Sequence, residues 1–338
     1  MRAAVLTRPG SLDLVDVEDP PCAEDEVVIR VTTCGVCGTD RSIFRGEHPA
    51  RVPVVLGHEY SGVVVETGTA VSGLTVGDRV AVDPNVVDGT CSFCRRGESN
   101  LCEGLRPLGI SRDGGFAELS ALPATNAYKL PDGVSLEDGS VVEPLACCVH
   151  GIDRAAIRGG DTVLVLGAGP IGCLLIQLAR LSGASTILAV EPDEVRRRHA
   201  IAAGADLVCE PAEVTGRLHS LRGTIGADVV IEATGDAASA QASLELVRRG
   251  GTLLVFGVYP SEARVSVSPF RVNEDELRIV GSLNNPNTHQ RAIDLLASGR
   301  IVLDGVITHR LGLSELGAAL DRANFPGAGK ITIDPSGT

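Results

Sequence analysis

The sequence predicts an α/β protein in two parts, mostly β first and a doubly wound parallel sheet after it. Residues 1–145 carry short β-branched runs separated by Gly- and Asp-bearing turns, whereas from 146 to 285 apolar strands alternate with helical segments. The length of 338 residues suits two domains of roughly 150 residues each. Apolar residues make up 44% and charged residues 22%, the balance of a chain that buries a core.

Glu26–Val31 and Ser61–Glu66 read as strands, with Val76-Gly77-Asp78-Arg79 as a turn between strands. Further strands are expected at Thr162–Leu166, Thr186–Val190, Ala227–Ala233, Gly251–Phe256 and Arg278–Ser282. Helical spacers between them imply parallel order. The last fifty residues offer a helix at His289–Ala297, apolar alternation at Ile301–Leu303 and a strand at Lys330–Ile333.

Asp and Glu number 43 against 30 Lys and Arg, a formal charge of -13, so nucleic acid and anionic membranes are poor partners. The longest uncharged stretch, Thr162–Ala179, is interrupted by Gly167, Gly169, Pro170 and Gly172 and reads as strand, turn and helix, not a membrane span. Met1–Leu6 is too short for a signal-peptide core, so a cytoplasmic location is expected. In a reducing compartment, clustered members of the ten cysteines point to metal or reactivity.

Gly167-Ala168-Gly169-Pro170-Ile171-Gly172 has G-x-G-x-x-G spacing between an apolar strand and the helical run Cys173–Leu181. The first glycine permits the turn, the second admits a pyrophosphate and the third lets helix pack on strand, while the helix N-terminus faces the phosphates. A glycine-rich turn that binds nothing is the alternative. Glu191 closes the next strand, where a carboxylate accepts from the ribose hydroxyls of NAD and repels the extra phosphate of NADP. Arg196 lies along the adenosine side. Arg197 and Arg198 read as well as a solvated helix face.

Cys37, within Gly35–Asp40, and His58-Glu59, within Gly57–Gly62, offer a thiolate, an imidazole and a carboxylate, a set that zinc accepts with one position left open. Taken singly, each motif is also a buried thiol or a satisfied histidine.

Taken in order with Gly77–Val82, the cysteine lobe, Glu143-Pro144-Leu145-Ala146 and Gly204-Ala205-Asp206, these motifs resemble the zinc-containing medium-chain alcohol dehydrogenases, most closely their polyol (sorbitol-like) branch, over nearly the whole chain. The resemblance implies a discontinuous GroES-like catalytic domain of 1–145 and 286–338, a Rossmann-type NAD-binding domain of 146–285, and an active site in the cleft between them. It places catalytic zinc on Cys37, His58 and Glu59, with Glu143 the fourth partner, direct or through water. A carboxylate that only caps a helix is the alternative for Glu143. Thr39 matches the hydroxyl that bonds the reacting oxygen. Cys91, Cys94 and Cys102 match three of four structural-zinc cysteines, and Asp88 stands where the first would be. The lobe therefore holds a weakened zinc site, or reduced thiols with no metal.

The chain departs from many alcohol dehydrogenases at Ser42, where a relay histidine is usual. Protons then leave through water at Glu143 or Glu59, or through His48, otherwise a plain loop residue. The implied reaction passes hydride from a carbinol carbon to NAD, zinc having acidified the hydroxyl. Expected substrates are a polyol, sugar or cyclitol. A threonine-type amino-alcohol or ketone enzyme, and a silent redox sensor using Cys91 and Cys94, are the alternatives. Phe44 and the loop Asn284–Asn287 are the expected substrate contacts. Association as a homodimer or homotetramer is implied, with Arg278–Ser282 the candidate pairing strand. Cys22, Cys34, Cys147, Cys148, Cys173 and Cys209 read as core residues.

Overall fold

The computed structural model describes residues 1–222 and 226–337, and the chain divides into two units. The first comprises Met1–Ala146, Asn285–Arg300 and Ile307–Thr338; the second comprises Cys147–Asn284 and Ile301–Val306. Among the described residues no helix is long and apolar enough to cross a membrane.

In the first unit the β-branched runs form a sheet around the long strand Glu26–Gly35. That strand pairs antiparallel with Glu59–Thr67 and Leu119–Pro123, and at its C-terminal end with the chain's last strand, Lys330–Asp334. Lys330–Asp334 in turn runs parallel to Ile307–Gly312. Ile29, Val31, Tyr60, Val64, Phe116, Leu122, Ile331 and Ile333 meet in one buried cluster. Burial of such side chains stabilises by about 1.5–3 kcal/mol each, enough to draw the C-terminal strand back onto the first 146 residues.

The second unit is a six-stranded parallel sheet whose spatial order is Leu207–Cys209, Thr186–Val190, Thr162–Leu166, Ala227–Glu232, Val247–Val255, Arg278–Gly281. Numbered along the chain this is 3-2-1-4-5-6, the doubly wound order, and it reverses direction between Thr162–Leu166 and Ala227–Glu232. Every residue of those two central strands is buried, as expected where helices cover both faces of a parallel sheet.

The structure corrects two local expectations and adds one strand. The alternation at Ile301–Leu303 forms no strand, and this stretch lies with the second unit. Gln177, buried on the helix Pro170–Leu181, explains it: its amide donates to Val302 O at 2.9 Å and accepts from Val302 N at 2.7 Å. A side chain thus supplies the pairing that a strand neighbour would. Leu207–Cys209, a three-residue strand, gave no periodic signal. Cys22 and Cys147 are only partly buried, unlike Cys34, Cys148, Cys173 and Cys209; Cys22 follows two prolines and its thiol donates to the main-chain oxygens of Ala23 and Glu26, at 3.7 Å and 3.3 Å.

Candidate metal centre and dinucleotide site

The first unit assembles its metal-ligating groups at the end of one strand pair. Glu26–Gly35 ends one residue before the extended stretch that leads to Cys37, the N-cap of the helix Gly38–Phe44. Register sets Gly35 opposite Glu59, beside His58. One potential ligand atom from each of Cys37, His58 and Glu59 then lies within 4.8 Å of the others. His58 and Glu59 are buried and Cys37 is partly so.

Asp40 holds this corner together and was not singled out by its sequence. It is fully buried; one oxygen accepts from Cys37 N at 2.8 Å, the other from Gly57 N at 3.3 Å, and the latter lies 3.4 Å from His58 Nδ1. His58 Nδ1 makes no well-formed hydrogen bond. Burial opposes a charge on this imidazole, yet the neighbouring Asp40 carboxylate and Cys37 sulfur outweigh it and raise the His58 pKa well above its ordinary value. A carboxylate behind one ring nitrogen directs the other at a cation, the arrangement that orients metal-bound histidines. The corner therefore fits a divalent metal: an anion-rich, buried donor set with soft and borderline ligands for zinc.

Lys330 is the second group that sequence pattern missed. Its Nζ donates to both oxygens of Glu59, at 2.7 Å and 2.5 Å, with both residues buried. Burial works against the ammonium, but Glu59 overrides it and the Lys330 pKa rises. Gly35 leaves the space: a Cβ there would sit 2.4 Å from Glu59 Oε2. Glu143 stands outside the three-residue cluster and accepts from Asn285 Nδ2 at 3.2 Å, both residues being buried. Thr39 Oγ1 is 3.8 Å from Cys37 Sγ. His48 Nδ1 lies 2.9 Å from Pro49 O, and Ser42 Oγ accepts from Arg45. Phe44 packs on the apolar core.

Asp88, Cys91, Cys94 and Cys102 also converge, with a ligand atom from each within 4.8 Å of the rest. Asp88 Oδ1 accepts from the amides of Thr90 and Cys91 at 2.6 Å and 2.8 Å. A Cβ at Gly104 would come within 2.7 Å of Asp88 Oδ2, so that glycine gives the carboxylate its room.

In the second unit the glycine turn takes the shape its spacing demands. Gly167 adopts φ +95° and donates to Val190 O at 2.8 Å. A Cβ at Gly172 would stand 2.0 Å from Gly167 O, whereas Gly169 faces open space. Gly169 caps the helix that begins Pro170-Ile171, so the helix N-terminus with its free amides sits at that opening. Glu191 is buried; one carboxylate oxygen accepts from Ala168 N at 2.9 Å and the other from Asp193 N at 3.1 Å. Arg196 Nε is buried without a hydrogen-bond partner. Glu232, at the end of its strand, accepts from Thr234 N at 3.0 Å and from the Tyr259 hydroxyl, fixing the second loop at the point where strand order reverses.

A GroES-like β domain carrying a Cys-His-Glu corner, together with a doubly wound dinucleotide-binding sheet, defines a zinc-binding alcohol dehydrogenase, and the chain belongs to that family. Residues 23–132 match the alcohol dehydrogenase GroES-like domain and residues 170–298 the zinc-binding dehydrogenase domain. It is 36% identical to D-arabinitol dehydrogenase 1 of Uromyces fabae over 99% of this chain and 97% of that one. Sorbitol dehydrogenase of Bombyx mori is 34% identical over 98% and 97%. Among solved structures, a chain of Sinorhizobium meliloti 1021 assigned as a zinc-binding dehydrogenase and bound to NADP superposes with a TM-score of 0.95, at 39% identity over 99% of both chains. An alcohol dehydrogenase of E. coli CFT073 complexed with NADH gives 0.91 at 29% identity, again over 99% of both.

Proposed function

We propose that this dehydrogenase oxidises a secondary alcohol of a polyol, sugar or cyclitol, using zinc and NAD. The observation that carries the reading is the Cys37–His58–Glu59 corner braced by Asp40; the arabinitol and sorbitol dehydrogenases among its relatives supply the substrate class. When bound, zinc acidifies the substrate hydroxyl and NAD accepts the hydride. Cys37, His58 and Glu59 are the proposed ligands, with Glu143 the fourth, direct or through water. Asp40 fixes the ring of His58. Lys330 shares the charge of Glu59. Thr39 is the proposed donor and acceptor to the reacting oxygen. In the absence of a histidine at Ser42, proton exit falls to water held by Glu143 or Glu59.

Gly167, Gly169, Pro170, Ile171 and Gly172 are proposed to seat the pyrophosphate, and Glu191 the adenosine ribose. The amides of Ala168 and Asp193 hold Glu191 in place, which supports NAD over NADP. Arg196 would flank the same ribose. Screening polyols, sugars, cyclitols and amino alcohols for absorbance of NADH tests the substrate class; steady-state rates with NAD and NADP test the cofactor, and a clear preference for NADP overturns that part. L-threonine 3-dehydrogenase of Pyrococcus horikoshii, 33% identical over 98% of both chains, favours amino alcohols as the second reading. The edge strand Arg278–Gly281, with Ile279, Phe270 and Val258 exposed nearby in sequence, supports assembly of a homodimer or homotetramer through the second unit. Light scattering that finds a monomer would exclude it.

A further inference from the structure

We infer that Asn285 is a positioning residue for the Glu143 carboxylate, and that its own orientation is imposed by Asn85 and Asp83. The inference rests on the zinc reading above, in which Glu143 is the fourth partner of the metal.

Asn285 is almost fully buried, at 2% exposure. Its Nδ2 donates to Glu143 Oε1 at 3.2 Å while its Oδ1 accepts from Asn85 Nδ2 at 2.7 Å. Asn85 Nδ2 is itself shared with Asp83 Oδ1 at 2.9 Å. An amide has one donating and one accepting end. The Asp83 carboxylate only accepts when ionised, so Asn85 must present N–H groups; Asn285 must then turn its oxygen to Asn85 and its N–H to Glu143. A flipped Asn285 would set its oxygen against the carboxylate and its N–H against a donor. The direction of hydrogen bonding therefore runs one way, from the 83–85 loop to Glu143.

The place of this contact in the chain adds a second observation. The first unit gives up its main chain at Ala146, three residues after Glu143, and resumes it at Asn285. Thr288 Oγ1 donates to Ala146 O at 2.8 Å, so the same two stretches are joined twice. A polar pair buried to this degree is costly to leave half-made, which locks the carboxylate to one rotamer. Such groups behind a metal ligand commonly change metal affinity or activity by about 10–100-fold when removed.

Cobalt substitution of the chelator-stripped, full-length protein tests this with a readout independent of turnover. The spectrum of Cys37→Ala, which keeps the cysteine lobe, is subtracted to isolate the catalytic position. Asn285→Ala is expected to weaken Co2+ binding there by about tenfold and to shift its d–d bands. Glu143→Gln should shift them too, and the double variant should go no further than Glu143→Gln alone. Asn285→Ser, a milder change, serves if Asn285→Ala melts too early. A variant that lowers the melting temperature but leaves Co2+ affinity and bands at parental values makes Asn285 merely structural and overturns the inference. No thiolate-to-cobalt band in the difference between the parent and Cys37→Ala overturns the zinc reading, and the inference with it. A parental band that Glu143→Gln leaves untouched removes Glu143 from the metal and overturns the inference alone.

Discussion

Lys330 and Asp40 show how single buried charges decide what the metal corner can be. Lys330→Met leaves the Glu59 carboxylate buried without its ammonium, and removal of one partner from a buried pair costs about 3–5 kcal/mol. Urea denaturation should find a loss of that size; a change under 1 kcal/mol would mean that Glu59 is relieved by other groups. Asp40→Asn keeps the volume but removes the anion behind His58 Nδ1. Zinc affinity, read by chelator competition, is expected to fall about 10- to 100-fold. Neither residue stands out in the sequence, since Lys330 lies 271 residues from its carboxylate partner and Asp40 reads as an ordinary first-turn acid of a short helix.

At the scale of elements, the glycine turn and the Gly204-Ala205-Asp206 turn do different work on neighbouring strands. A methyl at Gly172 would collide with Gly167 O, a backbone atom that cannot move aside without breaking the turn. Gly172→Ala should therefore abolish the fluorescence of bound NADH while leaving metal at Cys37 intact; retained NADH binding would place the cofactor elsewhere. Asp206 accepts from Ile187 N at 2.7 Å and from Arg180 at 2.5 Å. Partial burial raises its pKa, but those donors outweigh burial and the net shift is downward. A carboxylate depressed in the folded state adds stability that is present above its unfolded pKa, near 3.9, and is lost as pH falls through the lower folded value. Asp206→Asn should thus be less stable than the parent at neutral pH, with the gap closing below about pH 4. A gap that persists unchanged into that acid range would assign the effect to packing. The strands Thr162–Leu166 and Thr186–Val190 were legible to the residue, because five consecutive apolar or β-branched residues, bounded by Asp161 and Gly167 in the first and by Ser185 and Glu191 in the second, leave little else to form.

For the whole molecule, two separate clusters of potential ligands set the number of metal ions one chain is expected to carry. The Asp88–Cys91–Cys94–Cys102 cluster is closed on itself, so elemental analysis is expected to find about two zinc ions per chain in the parent and about one in Asp88→Ala, with alcohol oxidation retained. One ion per chain in the parent, with the Cys37 corner filled, would leave the lobe as reduced thiols. That lobe was partly legible, through the spacing of its cysteines. Its closure was not, because whether a carboxylate three residues away turns inward depends on the Thr90 and Cys91 amides and on the room left by Gly104.

By itself the sequence determined the fold class and the family, and it supplied the glycine turn proposed to seat a dinucleotide and the thiol, imidazole and carboxylates proposed for a metal. These depend on residue type and on spacing over a few positions, where the chain has few conformations open to it. Only the tertiary structure decided which of those carboxylates faces a lysine, which accepts from an asparagine, and which histidine nitrogen lies against Asp40. Those outcomes follow from strand register, from the return of the C-terminal strand beside Gly35 and from the meeting of Glu143 with Asn285, contacts between segments separate in sequence that local pattern does not constrain.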